Sequence, residues 1–199
     1  MLADHKLQWF NYPSSFPTER TKLKVKPVKP DFLLKDVEEL DAEELHEMGV
    51  RGILYDLERT LIPIGSREIP KETRLRFLWF MNDQGFEQAV CTNSSYHYTH
   101  FGFVTAFRSR IAQPDAERGI SKKPDFSIFQ EGIRLLELPP EEILMVGDKL
   151  LFDTSPAAAL GMKTALVNPM PGKDVWAEYL AFRRTREKLA LHKLGVKRP

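Results

Sequence analysis

Short, unbroken apolar runs separated by helix-period stretches dominate the chain from residue 51 onward. Ile53-Leu54-Tyr55, Ala89-Val90-Cys91 and Leu144-Met145-Val146 are continuous rather than alternating, the pattern of parallel strands buried on both faces. They predict strands at 51–56, 87–92 and 142–147, with a further strand at 163–168 and a short one near 107–112. Helices are predicted over 70–84, 95–107, 125–137 and 153–160, with a terminal helix over 173–194. The breakers agree: Pro70 suits a first turn, Gly85 and Gly161 stop helices, and Pro139-Pro140 halts another. An earlier helix over Asp41–Met48 starts on Asp41 and Glu44, where Leu40 can staple onto Leu45, and stops at Gly49. Strand and helix alternate without an internal repeat. The alternation predicts an α/β fold with a Rossmann-like, doubly wound parallel sheet.

Residues 1–30 fall outside that alternation and read as an arm. Pro13, Pro17, Pro27 and Pro30 break regular structure, and the run from Lys22 to Pro30 is extended or polyproline-like. Trp9, Phe10, Tyr12 and Phe16 are too apolar for a solvated tail, so the arm is expected to dock on the domain, a partner or a membrane surface. The expected organisation is an arm over 1–30, a main domain over 31–172, and a basic helix and tail over 173–199 packed on it. A length of 199 residues suits one domain with appendages.

A net charge of +1 gives no strong pull toward polyanions, and no nucleic-acid partner is expected. The basic residues gather near the ends. In the terminal helix Trp176, Tyr179, Leu180 and Phe182 precede Arg183, Arg184 and Arg186. That helix could lie on an anionic membrane, but periodic apolar residues favour packing on the domain. The single cysteine, Cys91, excludes an internal disulfide and points to a reducing compartment. It lies in a strand run and is expected to be a buried apolar residue. No apolar run approaches the ~20 residues of a bilayer span, and the start shows no charged-then-apolar leader. The expected location is cytoplasmic, with peripheral contact to an anionic membrane as the alternative.

The chemistry lies where the strands stop. Ile53-Leu54-Tyr55 ends at Asp56, followed by Glu58 and Thr60. Ala89-Val90-Cys91 ends at Thr92-Asn93, and Leu144-Met145-Val146-Gly147 at Asp148, with Asp153 five residues on. Open parallel sheets bind ligands at the carboxyl ends of their strands, so one crevice would collect these groups together with Lys123. Asp56 could attack phosphorus, splitting one hard step into two. Glu58, on the same side of an extended segment, could protonate the leaving oxygen and later activate water. Thr60 could hydrogen-bond the loop that carries both. Thr92 and Asn93 could hold phosphate oxygens, and Lys123 could neutralise nucleophile and phosphate together. Asp148 and Asp153 suit Mg²⁺. His97 and His100 follow the second strand but lack a third ligand at metal spacing, so a surface helix is the reading for them.

Together, Asp56-Leu-Glu58-Arg-Thr60, Cys91-Thr92-Asn93, Lys123-Pro124 and Gly147-Asp148 with Asp153 resemble the four motifs of the haloacid dehalogenase (HAD) superfamily of phosphatases. The subgroup is similar to the YqeG-like, type IIIA phosphatases, relatives of the mitochondrial phosphatidylglycerophosphate phosphatase. The likeness covers roughly residues 31–190. It implies Asp56 as nucleophile, Thr92 as phosphate-binding hydroxyl, Lys123 as stabilising lysine and Asp148 as principal Mg²⁺ ligand. Asp153 would support the metal, and the backbone carbonyl of Glu58 would face it. The implied activity is a Mg²⁺-dependent phosphomonoester hydrolase, with phosphatidylglycerophosphate as the substrate suggested and another soluble phosphorylated metabolite as the alternative.

Two positions depart from that pattern. The family has Asp at Glu58 and usually Asn at Arg59. Glu keeps the carboxyl but lengthens it by one methylene. Arg59 could clamp a phosphate, although solvent exposure is the commoner fate of arginine. These departures support a second expectation, a weakly active or non-catalytic HAD-fold binding protein. The intervals between Asp56, Thr92 and Lys123 leave no room for a cap domain. An uncapped crevice is open and suits a large or surface-bound phosphoester.

Overall fold

The computed structural model describes residues 25–64, 66, 72–94, 107, 110–170 and 177–199, with only the backbone for 177–184. Strands are β1 (Phe32–Leu34), β2 (Gly52–Tyr55), β3 (Glu87–Cys91), β4 (Ile111–Ala112), β5 (Ile143–Gly147) and β6 (Lys163–Val167). Helices are α1 (Ala42–Glu47), α2 (Glu72–Asp83), α3 (Phe126–Leu136), α4 (Ser155–Ala159) and α5 (Ala177–Lys193). The strands form one parallel sheet in the order β1-β6-β5-β2-β3-β4. From the central β2 the chain winds outward through β3 and β4, then crosses back to β5 and β6. The reversal of direction lies beside β2, so a crevice opens at the carboxyl ends of β2 and β5. Neither segment 56–71 nor segment 113–125 is long enough to carry a cap domain.

The continuous apolar runs are continuous because both sheet faces are covered. Ile53 and Tyr55 of β2 enter a core with Leu45 of α1 and Leu78 and Met81 of α2. Leu54 enters the opposite core, with Ile128, Phe129 and Ile133 of α3 and Ala157 of α4. Gly132 permits this close approach, since a Cβ there would lie 2.7 Å from Leu54 Cδ2. Capping follows the sequence: the Asp41 carboxylate accepts from the Glu44 amide and the Asp125 carboxylate from the Ser127 amide. α3 ends on Glu137 in the left-handed region, ahead of the two prolines.

Several expectations change. β1 was not foreseen: three half-buried residues at the sheet edge pair with β6. The helix expected from 153 begins as a wider π-turn over Leu150–Thr154 and becomes α-helical at Ser155. The expected helix over 95–107, with His97 and His100, lies outside the described residues except for Phe107, which packs edge-on against Tyr55. The aromatic residues of the arm also lie outside them. The end of the arm runs against the domain, where Pro30 is buried and the Val28 amide donates to Ser155 Oγ at 3.1 Å.

α5 packs through its second half. Ala190 and Leu191, with Val196 beyond them, are buried against Leu150 and Leu166, whereas Arg186, Lys188, His192 and Lys193 are exposed. The side chains of Trp176 through Arg184 lie outside the described residues. Among the described residues no helix is long and apolar enough to cross a membrane.

Candidate active site

β2 delivers Asp56 to the crevice, and the Asp56 amide donates to the Val146 carbonyl at 2.8 Å, tying this position to β5. The loop then folds back on itself: the amides of Leu61 and Ile62 both donate to the Leu57 carbonyl. The Thr60 hydroxyl donates to Asp56 Oδ2 at 3.2 Å, so Thr60 bonds the carboxylate itself rather than the loop backbone. Glu58 is half-buried and bridges to Ile62. Arg59 sits at φ 72, left-handed backbone that Asn and Gly adopt more readily than Arg. Its side chain is not solvated as expected. It is buried to 7% exposure, with Nε 3.5 Å from Asp148 Oδ2.

β5 delivers Asp148, and the π-turn brings Asp153 beside it. Gly147 makes this packing feasible. A Cβ on it would lie 2.5 Å from Asp153 Cβ and 2.7 Å from its Cγ. Asp153 Oδ2 accepts from the Lys149 amide at 2.9 Å. Lys123 reaches in from the loop before α3. Its ammonium donates to Asp56 Oδ1 and, at 2.7 Å, to Asp153 Oδ1. Lys149 Nζ donates to Asp148 Oδ1 at 3.0 Å.

Asn93 is placed differently from the expectation that it would hold phosphate. Its Oδ1 accepts from the Lys123 amide at 2.6 Å and its Nδ2 donates to the Lys123 carbonyl at 3.2 Å. Both ends of the amide are engaged by the lysine backbone, so Asn93 positions Lys123. Thr92 is buried, its amide donating to the Ala112 carbonyl at 2.9 Å and its Oγ1 accepting from the Ser94 amide at 3.1 Å.

Asp56, Asp148 and Asp153 each present an oxygen within 4.8 Å of the other two. Glu58 contributes no carboxylate oxygen to this group. Three buried carboxylates so close repel one another. Burial pushes the Asp153 carboxyl up to about 7, with Lys123 opposing and Asp56 adding to the push. Burial would lower the Lys123 ammonium, but the Asp153 and Asp56 carboxylates outweigh it and hold it above its ordinary value, so the lysine stays charged. An all-oxygen, anionic, buried set fits a hard divalent cation such as Mg²⁺. Cys91 beneath is pushed up to about 12 by burial and stays a neutral thiol, as its strand position implies.

The C-terminal segment also contributes to the site, which no sequence motif signals. Arg198 donates to the Asp148 carbonyl and to the Val167 carbonyl, each at 2.6 Å. The Glu187 carboxylate accepts from the amides of Leu150 and Leu151, at the start of the π-turn. These residues lie far along the chain from the motifs, and no local pattern marks them. Lys149 directly follows Asp148 and could have been named from adjacency alone.

A family model described as haloacid dehalogenase-like hydrolase matches residues 3–161. Over 147 residues the chain is 28% identical to "Probable phosphatase YqeG" of Bacillus subtilis (strain 168), covering 73% of this chain and 80% of that protein. A solved structure of an uncharacterized protein from Listeria monocytogenes serotype 4b matches at 18% identity with a TM-score of 0.48, covering 68% of this chain and 99% of that one. Another, from Corynebacterium glutamicum, matches at 18% identity with a TM-score of 0.44, covering 75% and 98%.

Proposed function

From a chain that belongs to the haloacid dehalogenase-like hydrolases, we propose a Mg²⁺-dependent phosphomonoester hydrolase acting through an aspartyl-phosphate on Asp56. The observation that carries this reading is the junction at Lys123, whose ammonium bonds both Asp56 and Asp153 inside a buried three-carboxylate cluster. Asp56, Asp148 and Asp153 would hold the metal, with the Glu58 backbone carbonyl facing it. The ion supplies positive charge against the phosphate and its attacker.

The chain's own groups do the rest. Thr60 and Lys123 fix the two oxygens of Asp56, so one is aimed at phosphorus in the approach line. Thr92 donates its hydroxyl to a phosphate oxygen. As the Asp56 oxygen bonds to phosphorus, the ester P–O bond breaks and Glu58 gives its proton to the departing alkoxide. Glu58, now a carboxylate, takes a proton from water. That water attacks phosphorus, breaks the aspartyl P–O bond and releases inorganic phosphate. Asn93 holds the backbone of Lys123 throughout. Arg59 sets Asp148 from Oδ2, while Lys149 holds Oδ1.

The Bacillus subtilis relative is a probable phosphatase, which supports the reaction class. Phosphatidylglycerophosphate is the substrate suggested by the resemblance to type IIIA phosphatases. The buried pairing of Arg59 with Asp148 and the longer Glu58 favour a second reading, a HAD-fold binding protein with little turnover. Release of inorganic phosphate from p-nitrophenyl phosphate, and from phosphatidylglycerophosphate in vesicles, decides between them. The proposal requires Mg²⁺-dependent release that chelation stops. No release from either compound with Mg²⁺ present would overturn it.

A further inference from the structure

A cavity of about 430 Å³ opens beside Asp148, between the end of β5 and α5. Its size lies within the ~300–1,000 Å³ range of small-molecule sites. Asp148 is the one member of the carboxylate triad on its wall. Phe152, Pro169, Leu191 and Val196 make that wall largely apolar. Four cationic residues line it, Arg59, Lys149, Lys188 and Arg198, against the carboxylates of Asp148 and Glu187.

Those cations are not equivalent. Arg59 and Lys149 lie on Asp148, and Arg198 is held by two backbone carbonyls. Lys188 and His192 stand one helical turn apart on the exposed side of α5. Among the described residues neither side chain has a hydrogen-bond or ion-pair partner. An apolar wall that ends in two donors, beside Asp148, is built for an amphipathic anion. A cationic group would meet net repulsion there, and a neutral polar one would gain nothing from the charge.

We propose that this cavity is the leaving-group subsite, taking an alcohol whose carbon chain lies on Phe152, Leu191 and Val196 and whose second anionic group meets Lys188 and His192. The inference rests on the phosphomonoesterase reading and deepens it. With segments 56–71 and 113–125 too short for a cap, α5 supplies the wall that a cap would otherwise provide. The basic residues of α5 then serve substrate choice.

The test compares hexyl phosphate with 6-(phosphonooxy)hexanoate, which differ only by the terminal carboxylate. A second arm presents the same two head groups on long-chain esters in phosphatidylcholine vesicles, separating a soluble substrate from a lipid one. The wild-type protein should prefer the carboxylated ester by ~2–5-fold in kcat/KM, the range of an exposed charge pair. Lys188→Glu with His192→Gln should bring that ratio to about one or below. Equal rates on the two esters in both arms, or a preference that survives the double variant, would overturn the proposal. If no ester is hydrolysed at all, the phosphatase reading fails separately. Calorimetric binding of hexylphosphonate and 6-phosphonohexanoate then judges the cavity, with the same preference and the same loss required.

Discussion

Substituting Gly147 with alanine isolates the packing that places Asp153 in the site. The added Cβ would stand 2.5 Å from Asp153 Cβ, 2.7 Å from Cγ and 2.8 Å from Oδ2. Ordinary carbon contacts are ~3.5–4.0 Å, so the two groups must part by about 1 Å. The clash is with the root of the Asp153 side chain, which cannot swing away while its oxygens bond the Lys149 amide and Lys123 Nζ. Asp153 therefore moves with Lys123, and Lys123 draws on Asp56. A displacement of ~1 Å at reacting groups costs ~10²-fold in rate, and overpacking costs about 1–3 kcal/mol in stability. Steady-state hydrolysis of p-nitrophenyl phosphate, with chemical denaturation alongside, measures both. The control is Gly132→Ala, whose Cβ meets Leu54 Cδ2 at 2.7 Å but on the far side of the helix–sheet contact. It should lose stability while keeping turnover. A Gly147→Ala protein with wild-type turnover would refute the argument that Gly147 sets the position of Asp153.

Three further outcomes follow from the same geometry. Glu58→Asp should raise kcat, by ~10-fold or more on positional grounds, if the longer side chain holds the acid off its mark; pH–rate profiles of both proteins check it, and an unchanged rate contradicts it. Arg74 is fully buried, with Nη1 donating to the Thr60 carbonyl at 3.0 Å and the guanidinium paired with Asp36 and Glu38. Arg74→Leu should cost about 3 kcal/mol by leaving those groups unpaired, and a urea midpoint equal to wild type would show the pairing to be idle. Hydrogen bonds from Arg134 and then Arg118 hold the Glu131 carboxyl below its ordinary 4.5. Its stabilisation is thus present above that value and lost as pH falls through the lower folded one. Glu131→Gln should be less stable than wild type at neutral pH yet lose less on acidification to pH ~3, and parallel acid curves would contradict the assignment.

The strand ends were legible in the sequence because burial on both faces leaves continuous apolar runs at β2, β3 and β5, and the residues that stop them are the site. Asp56, Thr92 and Asp148 could be found that way, and Lys123 and Asp153 by the motif order. β1 escaped because Phe32–Leu34 is an edge strand of three half-buried residues, too short for either periodicity. Arg74 escaped because its place in a helix pattern says nothing of the carbonyls and carboxylates that surround it. The roles of Asn93, Glu187 and Arg198 depend on contacts across thirty to fifty positions of chain, which no local pattern records. Arg59 was misjudged for the opposite reason: the general exposure of arginine outweighed its neighbourhood, where Asp148 draws it inward.

Covalent capture of the phosphoryl group probes the Asp56 intermediate itself. During turnover of p-nitrophenyl phosphate with Mg²⁺, the protein is quenched in acid within one catalytic cycle, and its peptides are weighed. One acid-stable phosphoryl group is expected on the peptide carrying Asp56, absent without Mg²⁺ and absent in Asp56→Asn, whose turnover is also lost. Turnover that persists in Asp56→Asn, or a phosphoryl group trapped on another residue, would contradict it.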